Sequence, residues 1–205
     1  MILLDVPYMT QVDNSTRYHG QGYRQCNLTS QAMLLLYVQK KFNHEPNLIE
    51  QSVQNGMFEP ESYYGKKLYE RGLAEQGKPY DTTDNNAHTV CLREDFGLET
   101  EFCTSASLDM VRTIINHGYP VAAGVLYKTS GHWLAIVGYD DDEFIVNDPY
   151  GKRHGDRDYY LEIGGNAGKC DVYRYDTMAK IWGGANGGWI RIPRSFQGQE
   201  LTTGV

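Results

Sequence analysis

Gly131-His132-Trp133-Leu134-Ala135-Ile136-Val137-Gly138-Tyr139, followed after four acidic residues by Phe144-Ile145-Val146-Asn147-Asp148-Pro149-Tyr150-Gly151, is the stretch that decides the fold. Both runs are short and rich in β-branched or aromatic residues, and Asp140-Asp141-Asp142-Glu143 between them reads as an exposed turn. That acidic run lacks the alternating ligands and the sharp-bend glycine of a calcium loop. The two runs therefore predict an antiparallel hairpin. In a hairpin the His132 imidazole and a carboxylate at the end of the next strand can meet, as a catalytic base meets its orienting partner. Asp148 is the natural carboxylate. Asn147 competes for the place, because alternation along a strand lets only one of the two face the histidine.

Outward from the hairpin, the second half of the chain continues as strands and the first half reads as helices. Leu3 to Tyr8 is a short strand or extended arm, and Thr10 to Gln25 a polar loop. From Cys26 to about Phe42, Leu28, Ala32, Leu35, Leu36 and Val38 approximate one helical face. Asn43 and Pro46 mark its end. Helical patterns follow at Asn47 to Gln54 and Glu61 to Leu73, and Lys78 to Asn86 is a polar loop. Ser107 caps a helix over Leu108 to Asn116 that Gly118 closes. Pro120 to Tyr127 is a strand, Arg174 to Ile181 a short helix and Gly188 to Ile192 a closing strand. The layout is α+β: an N-terminal helical half with Cys26 at a helix start, packed against a C-terminal antiparallel sheet carrying His132 and Asp148. Residues 1–193 form one expected domain, and the chain after Pro193 reads as a tail.

Composition narrows the function. The 205 residues, with a formal net charge of −7 and no lysine or arginine run, offer no basic patch for neutralising phosphates, so nucleic acid is not an expected partner. No run approaches the 18 or so apolar residues of a membrane span. The N-terminus lacks the basic and apolar regions of a signal peptide, which predicts synthesis in the cytoplasm. Four reduced cysteines (26, 91, 103 and 170) are expected in that setting, without a C-x-x-C pair. His88 and Cys91 form the only close His/Cys pair and lack a second half, so neither a metal nor another cofactor is expected. The Asn-x-Ser/Thr patterns at Asn14 and Asn27 read as chance matches. Tyrosine is in excess, 16 against 6 Phe and 3 Trp, and suits half-exposed surfaces as well as clefts.

Cys26 is the candidate nucleophile. A helix N-terminus and a neighbouring imidazolium both lower a thiol pKa, and the Gly20-Gln21-Gly22 loop leaves room before the helix. A buried structural cysteine is the competing reading. Cys26, His132 and Asp148 together fit thiolate, general acid–base and tautomer-fixing acceptor. The Cys26 backbone N–H is one oxyanion donor, and Gln11, Gln21 and Gln25 are side-chain candidates for a second.

Four blocks, Val6-Pro7-Tyr8-Met9-Thr10-Gln11-Val12-Asp13-Asn14, Cys26-Asn27-Leu28-Thr29-Ser30-Gln31-Ala32-Met33, Gly131-His132-Trp133 and Asn147-Asp148-Pro149-Tyr150-Gly151, resemble the papain-like cysteine peptidases of the bacteriocin-leader (double-glycine) type, in their stand-alone bacterial and phage form. Tyr173 to Ile192 resembles that family's closing helix and strand. The resemblance implies Cys26 as nucleophile, His132 as base, Asp148 as orienter and Gln11 as oxyanion donor, with Gln21 as the alternative. Asn27 departs from the glycine that often follows the nucleophile, and Gln11 lies farther from Cys26 than in transporter-linked relatives. Tyr18, Tyr23, Trp133 and Tyr150 flank the motifs as candidate cleft residues; Tyr23, Trp133 and Tyr150 are the substrate-binding candidates.

The expected function is a peptidase or amidase working through a thioester acyl-enzyme. By analogy with the family it is a phage-type endopeptidase (endolysin) acting on peptidoglycan, as a monomer, reaching the wall by lysis or in a virion. The alternatives are a protein- or leader-peptide-processing peptidase, and a non-catalytic binding or virion module on the same fold.

Overall fold

The computed structural model describes residues 1–14, 22–44, 63–127, 130–154, 159–183 and 187–204. The expected helix at Asn47 to Gln54, and Tyr18 and Gln21, lie outside the described residues.

Helix α1 (Cys26–Lys41) is the central element. It packs across strands β3 (Val121–Leu126) and β4 (Gly131–Tyr139). Leu28, Ala32, Leu35, Leu36 and Val38 are all buried, and so are Met33, Leu34, Thr29, Ser30, Gln31 and Gln39. A helix buried nearly all round has elements on more than one side, which is why its apolar face is only approximate in sequence. The second helical pattern appears as α2 (Tyr63–Gln76), and α3 spans Asn85–Phe96. Helix α3 was not expected from sequence, although its signals are complete. Asp84 caps it by accepting from the Asn86 and Ala87 N–H groups, and Gly97 ends it in a left-handed conformation (φ 69°). Helix α4 (Leu108–Asn116) starts as expected, with the Ser107 side chain accepting from the Met110 N–H.

The main sheet runs in the order β10 (Gln199–Glu200), β9 (Gly188–Phe196), β3, β4, β5 (Glu143–Asn147), β8 (Asp171–Arg174), with β1 (Ile2–Leu3) on β4 and β2 (Leu98–Ala106) on β9. The deciding hairpin forms as read: β4 pairs antiparallel with β5 (Glu143–Asn147), placing Ala135 opposite Asn147. Asp140 accepts from the Asp142 and Glu143 N–H groups in the turn. Gly138 lets β1 approach, since a Cβ there would lie 2.4 Å from the Ile2 carbonyl oxygen.

Strands β6 (Gly151–Arg153), β7 (Tyr160–Ile163) and β8 (Asp171–Arg174) lie in a region the sequence reading left unassigned. Helix α5 (Tyr175–Ile181) follows where a short helix was expected. Strand β9 (Gly188–Phe196) does not close at Ile192; it continues through Pro193 and pairs with β10 (Gln199–Glu200). Beyond Pro193, Phe196 and Leu201 are buried and the Thr202 hydroxyl donates to the Pro193 carbonyl. The misreading came from Pro193, which punctuates a strand in sequence yet is tolerated where its missing N–H is not needed.

Candidate active site

Two elements meet to make the site. Cys26 is the first residue of α1, where backbone N–H groups have no partner within the helix. His132 is the second residue of β4, paired with Val125 on β3. The Cys26 thiol lies beside His132, whose hydrogen bonding and charge act on it together with the Trp133 and Asn27 backbone N–H groups. On its other edge, His132 donates from Nε2 to Asp148 Oδ1 at 2.8 Å. Nδ1 is thereby left for the thiol. Asp148 directly follows β5, so the hairpin brings base and carboxylate together as the sequence suggested. Asn147 loses the competition: its amide donates to the Val6 carbonyl and accepts from the Cys170 N–H.

The feature missed by sequence reading is what holds Asp148. Its Oδ2 accepts from the hydroxyls of Tyr173 (2.9 Å), Tyr160 (3.0 Å) and Tyr127 (3.3 Å). Oδ1 also accepts from the Tyr150 N–H, and the Asp148 carbonyl accepts from Tyr8. The Asp148 N–H donates to the Gly168 carbonyl, at a spot where a Cβ on Gly168 would lie 2.0 Å from the Asp148 oxygen. The Tyr127 ring stacks on His132 with centroids 5.3 Å apart, and the Arg153 guanidinium stands 4.4 Å from the far-reaching Tyr127 ring. The tyrosine excess was the only signal. Tyr127 follows β3, Tyr160 opens β7 and Tyr173 lies in β8, and only folding gathers them.

Electrostatics follow from this cage. Burial alone would raise the Asp148 pKa, but the His132 charge and hydrogen bond, helped by the Tyr150 N–H and the Tyr173 hydroxyl, hold it below the ordinary value. Burial alone would lower His132, and Asp148 and Cys26 together push it up to about 10. Burial raises the Cys26 thiol, yet the His132 hydrogen bond and charge, with the two backbone N–H groups, bring it below an ordinary thiol. All three shifts favour a thiolate–imidazolium–carboxylate arrangement. Cys91 makes the contrast: buried beside Asp95, it is pushed far above the usual thiol range. None of the four cysteines is in a disulfide.

The pair opens onto a cleft of about 540 Å³ walled by Tyr23, Arg24, Thr83, Tyr127, Tyr150 and Tyr160. Tyr23 and Tyr150 therefore stand where sequence placed them. Trp133 does not line this cleft; it points to the opposite face of the sheet, and only its backbone N–H serves the thiol. Gln11 is fully buried behind the wall. The loop folds back far enough for its N–H to reach the Pro149 carbonyl, while its amide Nε2 donates to the Gly22 carbonyl at 3.2 Å. Gln25 accepts from Asn14. Both ring nitrogens of His88 are occupied, by Tyr64 and the Thr82 carbonyl. Among the described residues no group of three His, Cys, Asp or Glu could hold a metal ion, and no helix is long and apolar enough to cross a membrane.

Comparison with known proteins gives a family match that spans the site. The sequence model of the Peptidase_C39 like family matches residues 3–177. A crystal structure from Bacillus anthracis, assigned provisionally as a C39-like peptidase, superposes with a TM-score of 0.51 at 13% identity, covering 95% of this chain and 98% of that one. At that identity the likeness concerns the fold. A periplasmic domain of the EpsAB fusion protein of the Vibrio vulnificus type II secretion system superposes with a TM-score of 0.32 at 7% identity, over 52% of this chain and 39% of that one, and carries no argument. No protein of curated function matches the chain.

Proposed function

The chain belongs to the Peptidase_C39 like family, and from that premise we propose that it is a cysteine peptidase whose nucleophile is Cys26, with His132 as acid and base and Asp148 as orienter. The observation that carries the reading is the buried line from the Cys26 thiol through His132 to Asp148 Oδ1, closed by three tyrosine hydroxyls. Thiolate and imidazolium are the forms its electrostatics favour, and they are the forms the reaction needs.

The Cys26 sulfur attacks the scissile carbonyl carbon, and the oxyanion that develops is met by the Cys26 backbone N–H at the start of α1. His132 gives its Nδ1 proton to the leaving amine as the C–N bond breaks, leaving a thioester on Cys26. Water then attacks the thioester while His132 takes its proton, and the acid product departs with the thiolate restored. Asp148 keeps the imidazole in one orientation and stabilises its charged form throughout. Gln11, with its amide on Gly22, acts as a brace under the loop that leads into Cys26.

Membership of the family implies a peptide substrate. Hydrolysis of bacterial wall peptide by a phage-type endopeptidase, released by lysis or carried in a virion, rests on the sequence resemblance. Processing of a protein or leader peptide is the second reading. Incubating the protein with purified walls and with a mixed peptide library, then mapping new amine termini by mass spectrometry, separates them. A Cys26-linked thioester adduct trapped on acidification is expected with whichever substrate is cut. Turnover that survives Cys26→Ala would refute the peptidase assignment of this site.

A further inference from the structure

Arg24 stands two residues before the nucleophile, on the wall of the catalytic cleft. Its backbone is held from both sides. It closes the single 3-10 turn Gly22–Arg24, in which the Gly22 carbonyl accepts from the Gln25 N–H and the Gln11 amide. The Arg24 carbonyl accepts from the Thr82 hydroxyl at 3.2 Å. Gly22 lets the turn pack tightly on Gln11, since a Cβ there would lie 2.4 Å from the Gln11 carbonyl oxygen. Two residues of chain span at most about 7 Å, so the guanidinium is anchored within a side chain's length of Cys26.

The Arg24 side chain is exposed and unengaged. Among the described residues that wall the cleft, it is the one charged group besides Cys26 and His132. Its guanidinium has no hydrogen bond or ion pair with any described residue. Four other arginines are occupied: Arg71 holds Asp95, Arg93 holds Glu94, Arg194 holds Glu101, and Arg191 is buried on the Thr89 and Thr100 hydroxyls. The carboxylates that flank Thr83, another residue of the cleft wall, are turned to the chain itself. Asp81 accepts from the Thr83 N–H and hydroxyl, and Asp84 caps α3. Nor is Arg24 among the groups that lower the Cys26 thiol, which are His132 and the Trp133 and Asn27 N–H groups.

A guanidinium is a rigid fork of donors that matches a carboxylate and stays charged at any working pH. Set in a concavity walled by tyrosine rings, it attracts an anion more strongly than it would on an open surface. In a chain of net charge −7, one uncompensated cation beside the nucleophile selects by charge. We propose that Arg24 binds a carboxylate of the substrate close to the scissile bond, so that the enzyme cuts beside an acidic residue or a terminal carboxylate. This rests on the reading of Cys26 and His132 as the catalytic pair, and it narrows the substrate to peptides that are anionic near the bond.

The thiol itself supplies a test that does not depend on turnover. Iodoacetate carries a carboxylate and iodoacetamide does not, so the ratio of their rates at Cys26 reads the pull of Arg24. The same ratio at the exposed Cys170 is the reference. Arg24→Gln should lower the Cys26 ratio about fivefold, the scale of one exposed ion pair, and leave the Cys170 ratio where it was. Arg24→Lys, which keeps the charge, should restore most of it. In a second measurement, peptides cut from a randomised library are compared in pairs: Glu against Gln on either side of the bond, and a free against an amidated C-terminus. The acidic member of at least one pair should be cut about fivefold faster in kcat/KM, and Arg24→Gln should erase the difference. Which pair responds tells a side-chain carboxylate from a terminal one. A Cys26 ratio unchanged by Arg24→Gln, or cleavage indifferent to both pairs, would overturn the carboxylate site while leaving the peptidase reading standing. Iodoacetamide labelling of Cys26 no faster than that of Cys103 and Cys170 in the unaltered protein would instead strike the peptidase reading, and this proposal with it.

Discussion

The two walls of the catalytic cleft are built to different standards. On the sheet side, every polar group around the base is engaged: Asp148 accepts at both oxygens from His132, the Tyr150 N–H and three tyrosine hydroxyls. On the helix side, Gln11 Oε1, Asn14 Oδ1, Ser30 Oγ and Gln31 Oε1 are buried without a hydrogen-bond partner among the described residues. A satisfied polar network rigidifies, whereas an incomplete one leaves its members room to move. The difference teaches that this fold spends its order on the imidazole's orientation. The thiol is located by a helix start and two backbone N–H groups, which need no side-chain network.

The largest expected effects break the catalytic line itself. Cys26→Ala and His132→Ala should each lower kcat by about a thousandfold or more, with circular dichroism and thermal unfolding close to wild type for Cys26→Ala. Asp148→Ala strikes the ordered wall, leaving a buried imidazole and three hydroxyls without their acceptor. It should cost about 3–5 kcal/mol in denaturant unfolding, as loss of one member of a buried pair does. Asp148→Asn keeps the shape and should retain more stability, but the charge that raises His132 is gone. Alkylation of Cys26 at mildly acidic pH should therefore slow.

Tyr173→Phe sharpens the comparison by removing one hydroxyl from the carboxylate. A loss of about 1.5–3 kcal/mol is expected for a hydrogen bond to a charged group. The Asp148 pKa should rise with it, carrying the acid limb of the activity profile to higher pH.

Stability should also track the site's protonation. The His132 pKa is raised on folding to about 10, so its contribution is complete below its unfolded value and is lost as pH rises through about 10. The Asp148 pKa is lowered, so its contribution is present above the unfolded value and is lost as pH falls. The stability gap between the wild type and Asp148→Asn should be widest and flat between about pH 5 and 6, narrowing below that as Asp148 takes up a proton and above it as pH climbs from the unfolded histidine value towards about 10.

Gln11→Ala gives the smallest effect. A donor facing the oxyanion would cost about 10²–10³ in kcat. A brace on Gly22 should instead cost about 1 kcal/mol of stability with kcat within a few-fold.

Sequence reading went furthest where physics is local. The β4–β5 hairpin, the cap at Ser107 and the helix opening at Cys26 are each written in consecutive residues, and all three form as read. Register turns Asp148 towards His132 and Asn147 towards Val6, a choice that alternation alone leaves open. Helix α3 was missed because Lys78 to Asn86 reads as a polar loop, and that polar run also holds its cap, Asp84. The tyrosine cage was out of reach. Tyr127, Tyr160 and Tyr173 have no mutual spacing in the chain, and their convergence depends on β7 and β8, strands too short to announce themselves. Trp133 was readable in direction, since it alternates with His132, but what lies on that side required the register of β9.

The most direct test is the pH dependence of thiol alkylation, with iodoacetamide as the probe and mass spectrometry to place the label. A Cys26 held as thiolate beside an imidazolium should label selectively and fast well below the ordinary thiol pKa of about 8.5, and His132→Ala should abolish that advantage. Slow labelling of Cys26, or labelling no faster than that of Cys103 and Cys170, would contradict the account.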